Sequence, residues 1–361
     1  MVDLLQPIAF PTETVYGLGV PALDASAVSR IFSTKGRPPD NPLIVHISSL
    51  AMLRTLLPED YQLPRPYEVL MNHFWPGALT LLFPSNSSVV PGIVTANRPT
   101  VAVRMPSHPV ARALIAVVNA PIAAPSANLS GKPSPTQAKH VLRDLDGRVG
   151  LILDGGPCDV GLESTVIDGL GGDGDLRVLR PGGVTVEEIE GALRTDMQGQ
   201  IPRVLIFRRD FTDAALEEAP TTPGMKYRHY SPAVPVFLLY TSTPPTGIVP
   251  SPAIPLLTSL RDRYPAQTPT TKIGILTPTD SPLATLDLPS ENIEWRRYLL
   301  GPTSEPSVIA HRFFDGLLTL ENEGVHMIAV VAIPEEHEGL AVMNRANKAA
   351  TKTFWVDVSM S

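Results

Sequence analysis

"KGRPPDNPLIVHI" (residues 35–47) sets a lysine, an arginine and an asparagine just ahead of an apolar run that ends on a histidine. The run "PLIVHI" reads as a buried strand. Upstream, "DASAVSRIFSTKG" (24–36) has apolar residues at helical spacing, Asp24 or Ser26 as a cap and Gly36 as a stop, so it reads as a helix. A buried strand needs no entrance of two cations and an amide, so these polar residues call for a separate explanation.

Working outward, "PIAFPTE" is a strand that ends abruptly at Pro11, and further strands are expected at "ALTLLF", "TVAVRM", "PIAAP", "GLILDGG", "STVID" and "LRVLRP". Helices are expected at 49–57, 66–74, 108–118, 135–145 and 185–194, which gives an α/β domain over 1–208. A second pattern begins near 234, with strands at "VPVFLLY", "KIGILTP", "NIEWRRYL" and "HMIAVVAI" and helices at "SVIAHRFFDGLLTLENEG" and "NRANKAATKTF". It predicts a smaller α/β domain over 234–361 with a largely parallel sheet. The stretch 209–233 joins them, and "EEAPTTPGMKYRHYSPAVP" is too aromatic for a bare spacer.

The bulk numbers narrow the function. A net charge of −7 argues against non-specific nucleic-acid binding as the main task. A single cysteine, Cys158, rules out an internal disulfide framework and fits a reducing compartment. No apolar run reaches membrane-spanning length and no secretory signal is visible, so a cytoplasmic location is the expectation.

No phosphate-binding Walker loop, dinucleotide fingerprint, zinc-protease helix or nucleophile elbow is present. Polar clusters instead sit at strand ends, where α/β sheets place ligands. They are "PTETVYGLG" (11–19), read as a tight turn, "KGRPPDN", "VRMPSH", "APSANLSGKPS", "LESTVID" and "LRPGG". Singly, each has a structural explanation: Lys35 and Arg37 as a solvated helix end, His46 as a core histidine, Arg104 as half of an ion pair. Together, cations, hydroxyls and amides recurring at strand ends describe a nucleotide–phosphate pocket without a Walker loop.

In this order the motifs resemble the YrdC-like catalytic domain, and "PGMKYRHYSP" and "GLAVMNRANKAA" are similar to the linker and C-terminal domain of the two-domain threonylcarbamoyl-AMP synthases. The resemblance implies a YrdC-like twisted, open mixed sheet with helices, followed by a Rossmann-like α/β domain. It implies condensation of L-threonine, bicarbonate and ATP to threonylcarbamoyl-AMP and pyrophosphate, by a nucleotidyltransferase acting in tRNA modification. Lys35 and Arg37 would be catalytic, meeting the phosphates. Arg37, Asn41, Thr100, Ser126, Asn128, Ser134, Arg180 and Tyr230 would surround ATP. Thr14, His46, Arg104, Ala124 and Ser164 would hold threonine, with Thr12 and Tyr16 completing that wall. Tyr227, Arg228, His229 and Tyr230 would fold over the nucleotide.

Mg2+ is expected to ride on the triphosphate, because no carboxylate cage is visible. A tRNA threonylcarbamoyl transferase would take the product, and contact with tRNA or double-stranded RNA is a further expectation. An RNA-binding module of YrdC-like fold is the alternative reading, disfavoured by the net acidity. Family members usually carry a helix and a "GG" turn before the first strand, whereas only "MVDLLQ" precedes "PIAFPTE" here. This implies an internal methionine start or loss of that helix, and leaves a mitochondrial form open.

Overall fold

The computed structural model describes residues 6–218, 221, 229–263 and 270–358. The chain divides into two compact units, Met1–Ser130 with Ser134–Tyr227, and Gly131–Pro133 with Arg228–Ser361. Among the described residues no helix is long and apolar enough to cross a membrane.

The first unit contains strands β1 (Ile8–Phe10), β2 (Gly17–Pro21), β3 (Ile44–His46), β4 (Leu79–Pro84), β5 (Thr100–Arg104), β6 (Ile122–Ala123), β7 (Leu151–Ile152), β8 (Thr165–Asp168), β9 (Leu176–Arg180) and β10 (Val204–Ile206). They form one mixed sheet in the order β10-β9-β8-β4-β5-β3-β6-β2-β1-β7. The helix ahead of β3 spans Ala25–Lys35, and the Asp24 carboxylate accepts from the Ala27 amide at 2.9 Å. Gly36 ends it with φ +63, a conformation that suits a residue without Cβ. Only "PTETVY" belongs to the predicted turn, because the chain is already strand from Gly17. The two glycines make β2 fit: a Cβ at Gly19 would lie 2.6 Å from the Phe10 ring of neighbouring β1.

This unit runs past the expected boundary at 208. A helix spans Ala214–Glu218, and Phe207, Phe211 and Leu216 pack against Ile44, Leu82, Ala102, Val166 and Leu179. Covering that apolar patch keeps the segment with the first domain.

The second unit holds β11 (Val236–Tyr240), β12 (Ser251–Pro252), β13 (Thr271–Thr277), β14 (Ile293–Leu299), β15 (Met327–Val331) and β16 (Lys352–Asp357), ordered β12-β16-β11-β15-β13-β14. Every pairing is parallel, as expected. Interior strands such as "MIAVV" are apolar throughout, because both faces are covered. Edge strand β14 carries exposed Arg296 and Arg297, charges that discourage pairing with another chain. One expectation is corrected here. "NRANKAATKTF" is not all helix: the helix Glu338–Ala349 stops before β16, whose Trp355 stacks on its register partner Tyr240 at 5.2 Å. Cross-strand aromatic and β-branched contacts outweigh the helix propensity of the preceding alanines.

Gly182, just after β9, gives a test of this packing. A Cβ there would sit 2.3 Å from the Glu163 carbonyl oxygen and 2.4 Å from the Thr165 nitrogen, both backbone atoms with no side-chain freedom to yield. Gly182→Ala should therefore lower stability by about 1–3 kcal/mol. Urea unfolding would show this as a reduced midpoint at unchanged slope, and an unaltered midpoint would contradict the packing.

Candidate active site

Sheet register assembles the site. Arg104 at the end of β5 lies opposite Thr80 on β4 and beside His46 on β3. Directly paired residues project from the same face, so these three side chains form one row. Two residues along the same strands, Leu82, Ala102 and Ile44 are also paired and belong to the apolar core. The face thus turns from apolar to polar within one step, at the carboxyl ends of β3 and β5. Beyond Thr80 the row continues by hydrogen bonds. The Thr80 and Ser164 hydroxyls are 2.7 Å apart, and Arg180 Nη2 donates to the Ser164 carbonyl at 2.9 Å and hydroxyl at 3.2 Å.

Arg104 is fixed on three sides. Its Nε donates to the Gly77 carbonyl at 3.1 Å, Nη1 to the Thr14 hydroxyl at 2.7 Å and Nη2 to Glu13 Oε1 at 2.6 Å. Glu13 Oε2 accepts from the Ser107 amide at 3.1 Å. Arg104 and Glu13 are only 4% and 9% exposed in their side chains, so this is a buried ion pair. Burial alone would raise the Glu13 pKa, but the Arg104 charge and hydrogen bonds outweigh it and the net direction is downward. The Thr12 hydroxyl bonds Thr14 at 2.8 Å and the Val15 carbonyl at 2.6 Å, which sets the turn holding Glu13 and Thr14. Burial, then the Arg104 charge, pushes the His46 pKa down to about 3, so the ring is neutral near pH 7. Its Nδ1 is buried without a hydrogen-bond partner.

The expected phosphate side lies around the loop that follows β6. Lys35 is 3% exposed and donates to the carbonyls of Ser126 and Asn128, both at 2.5 Å, and to Asn128 Oδ1 at 3.2 Å, all three neutral oxygens. Burial, then the Arg37 guanidinium, holds its pKa well below the usual lysine range. The Ser126 hydroxyl donates to Asn128 Oδ1 at 2.6 Å. Arg37 donates to the carbonyls of Asn41 at 3.2 Å and Pro42 at 2.8 Å. Asn41 Oδ1 and the Thr100 hydroxyl are buried without partners. Ser134 donates to Glu163 Oε1 at 2.5 Å. The Ala124 amide is bound to the Ile44 carbonyl at 3.0 Å, one residue from the β3/β6 pairing.

Tyr16 departs from expectation. The Tyr16 ring is in the core with Leu18 and Ala127, and its hydroxyl bonds the Gly156 carbonyl at 2.7 Å. It supports the turn from behind instead of completing a wall. Tyr230 belongs to the second unit, where it is 1% exposed, 5.3 Å from the Phe314 ring and 5.7 Å from the Arg345 guanidinium. Tyr227 and Arg228 lie outside the described residues.

Three contributors were not singled out from sequence. Glu13 looked like one more turn residue, and its role depends on a partner 91 positions away. Thr80 was legible only as the polar break in "ALTLLF". Asp144, one helical turn after His140, accepts from the Leu129 amide at 3.3 Å and helps pin the loop beside Lys35. Among the described residues no three His, Cys, Asp or Glu side chains gather to hold a metal ion.

Residues 6–182 match a family model described as telomere recombination, and 184–351 match that of the threonylcarbamoyl-AMP synthase C-terminal domain. The threonylcarbamoyl-AMP synthase of Schizosaccharomyces pombe is 41% identical over 96% of this chain and 86% of its own length. That of Bacillus subtilis is 41% identical over 95% and 89%. The crystal structure of Pyrococcus abyssi Sua5 complexed with L-threonine superposes with a TM-score of 0.77 at 38% identity, covering 98% of this chain and 93% of that one. With both family domains matched and similarity along nearly its whole length, the chain belongs to the threonylcarbamoyl-AMP synthase family.

Proposed function

We propose that the chain condenses L-threonine, bicarbonate and ATP to threonylcarbamoyl-AMP and pyrophosphate. The observation that carries this reading is the buried row Ser164–Thr80–Arg104–His46, which offers one cation, one neutral imidazole and hydroxyls to a small amino acid. Arg104 takes the threonine carboxylate with its planar fork. His46, neutral and with Nδ1 unpartnered, orients the ligand's hydroxyl or amine. Its depressed pKa makes it a poor base, so the amine is neutralised before attack by another route. Thr14 and Ser164 face the hydroxyl, and the Ala124 backbone closes the pocket.

In this reading the amine nitrogen bonds to the carbon of bicarbonate, or of CO2 derived from it, and water leaves. An oxygen of the resulting carbamate attacks the α-phosphorus and the bond to pyrophosphate breaks. This is nucleotidyl transfer without a covalent enzyme intermediate. Lys35, Arg37 and Arg180 stabilise the charge that develops on the phosphates, while Asn41, Thr100, Ser126, Asn128 and Ser134 position the nucleotide. The side chains near the phosphate region include cations, amides and hydroxyls, and among the described residues no three carboxylates or other metal ligands gather, so Mg2+ would be held by the triphosphate's own oxygens and would supply charge neutralisation there. The mixed anhydride is then consumed by a transferase that moves its threonylcarbamoyl group onto a tRNA adenosine. The burial of Tyr230 on Phe314 and Arg345 supports a role for the linker's end as a strap of the second domain.

Pyrophosphate release, measured with threonine, bicarbonate and ATP omitted in turn, tests the reaction: every omission should abolish it, and release without threonine would refute it. In the same assay Lys35→Ala and Arg37→Ala should each fall on the order of 100-fold. Near-normal rates in both would remove the phosphate role. Imidazole NMR addresses His46 separately. With its folded pKa near 3, below the ordinary 6.5, its signals should stay unshifted from pH 8 down to about 5. A midpoint near 6.5 would place the ring in water and outside this site.

A further inference from the structure

Arg104 does not meet a ligand as a lone cation. Its charge is already matched by Glu13 at 2.6 Å inside a buried site, and the neighbouring His46 is neutral. The pair and the imidazole together therefore carry no net charge. A guanidinium has five N–H groups, and those on Nε, one on Nη1 and one on Nη2 are engaged by Gly77, Thr14 and Glu13. One N–H on each Nη nitrogen remains for a carboxylate.

We infer that Glu13 is the positioning and specificity residue of the amino-acid site: it locks the Arg104 fork and balances its charge, so that the pocket selects a zwitterion and turns away simple anions. The inference rests on the threonine reading of this site. Its chemical sense follows from the proposed reaction, in which two other participants, bicarbonate and pyrophosphate, are anions. An unbalanced arginine in a low-dielectric pocket would attract either of them strongly. With Glu13 beside it, an incoming carboxylate meets a repelling charge unless it brings an ammonium group to offset it. Both oxygens of Glu13 are tethered, one to Arg104 and one to the Ser107 amide, so the balancing charge has a fixed place. Thr12 and Thr14 fix the turn that delivers it.

The test compares three probes by isothermal titration on the full chain: L-threonine, L-threonine amide, which lacks the carboxylate charge, and (R)-3-hydroxybutyrate, which lacks the amine. The parent protein should bind threonine best and both single-charge analogues more weakly. Glu13→Gln should weaken threonine roughly 10- to 100-fold, the scale of one charge-assisted contact, while (R)-3-hydroxybutyrate binds as well as or better than to the parent. Glu13→Asp keeps the charge and should keep the parent's order of preference. Equal weakening of threonine and hydroxybutyrate in Glu13→Gln would reduce Glu13 to a structural support and overturn the inference, while leaving the threonine reading intact. If Glu13→Gln does not fold, the parent panel decides: hydroxybutyrate binding as tightly as threonine contradicts a charge-balanced site. Absence of threonine binding to the parent removes the underlying reading and the inference with it.

Discussion

The pairing of Arg104 with Thr80 on one side and His46 on the other is the constraint on which the site depends. A one-residue slip in either strand would turn its side chain to the opposite face of the sheet. The slip is opposed by the apolar residues two positions along, Leu82, Ala102 and Ile44, which must stay in their shared core. Hydrophobic burial thereby fixes the geometry of a polar site it does not touch. The ion pair adds a second lock, since removing one partner of such a buried pair typically costs about 3–5 kcal/mol.

Much of this was legible in the sequence, for physical reasons that differ by element. The helix Ala25–Lys35 carried its own cap and stop, and the parallel sheet of the second domain was legible from strands alternating with helices, with "MIAVV" apolar on both faces. The cations at the strand ends were conspicuous because nothing in a buried strand calls for them. What stayed hidden was set by tertiary contact. Glu13 gains its role from Arg104 far along the chain, and β16 is a strand because Trp355 and Val356 find β11 and β12 as neighbours. Gly17 and Gly19 read as turn residues although their lack of a side chain makes room for Phe10.

The two cation groups are held in different ways. Lys35 is fixed entirely by neutral oxygens of the Ser126–Asn128 loop, whereas Arg104 is matched by a carboxylate. Burial and Arg37 disfavour the charged form of Lys35 and the Asp144 carboxylate opposes them, so an arriving polyanion such as a triphosphate would favour the charged lysine. Arg104 is balanced, which suits an amino acid that brings both signs. In the proposed reaction, ATP and threonine would thus be told apart by what each cation is bonded to as well as by its residue type.

A crystal structure of the chain with L-threonine tests this account most directly. The account predicts the ligand's carboxylate within about 3 Å of Arg104 Nη1 or Nη2, the normal range for such a contact, with His46 Nδ1 bonded to its hydroxyl or amine. Threonine bound away from Arg104, or with His46 Nδ1 still unpartnered, would contradict it.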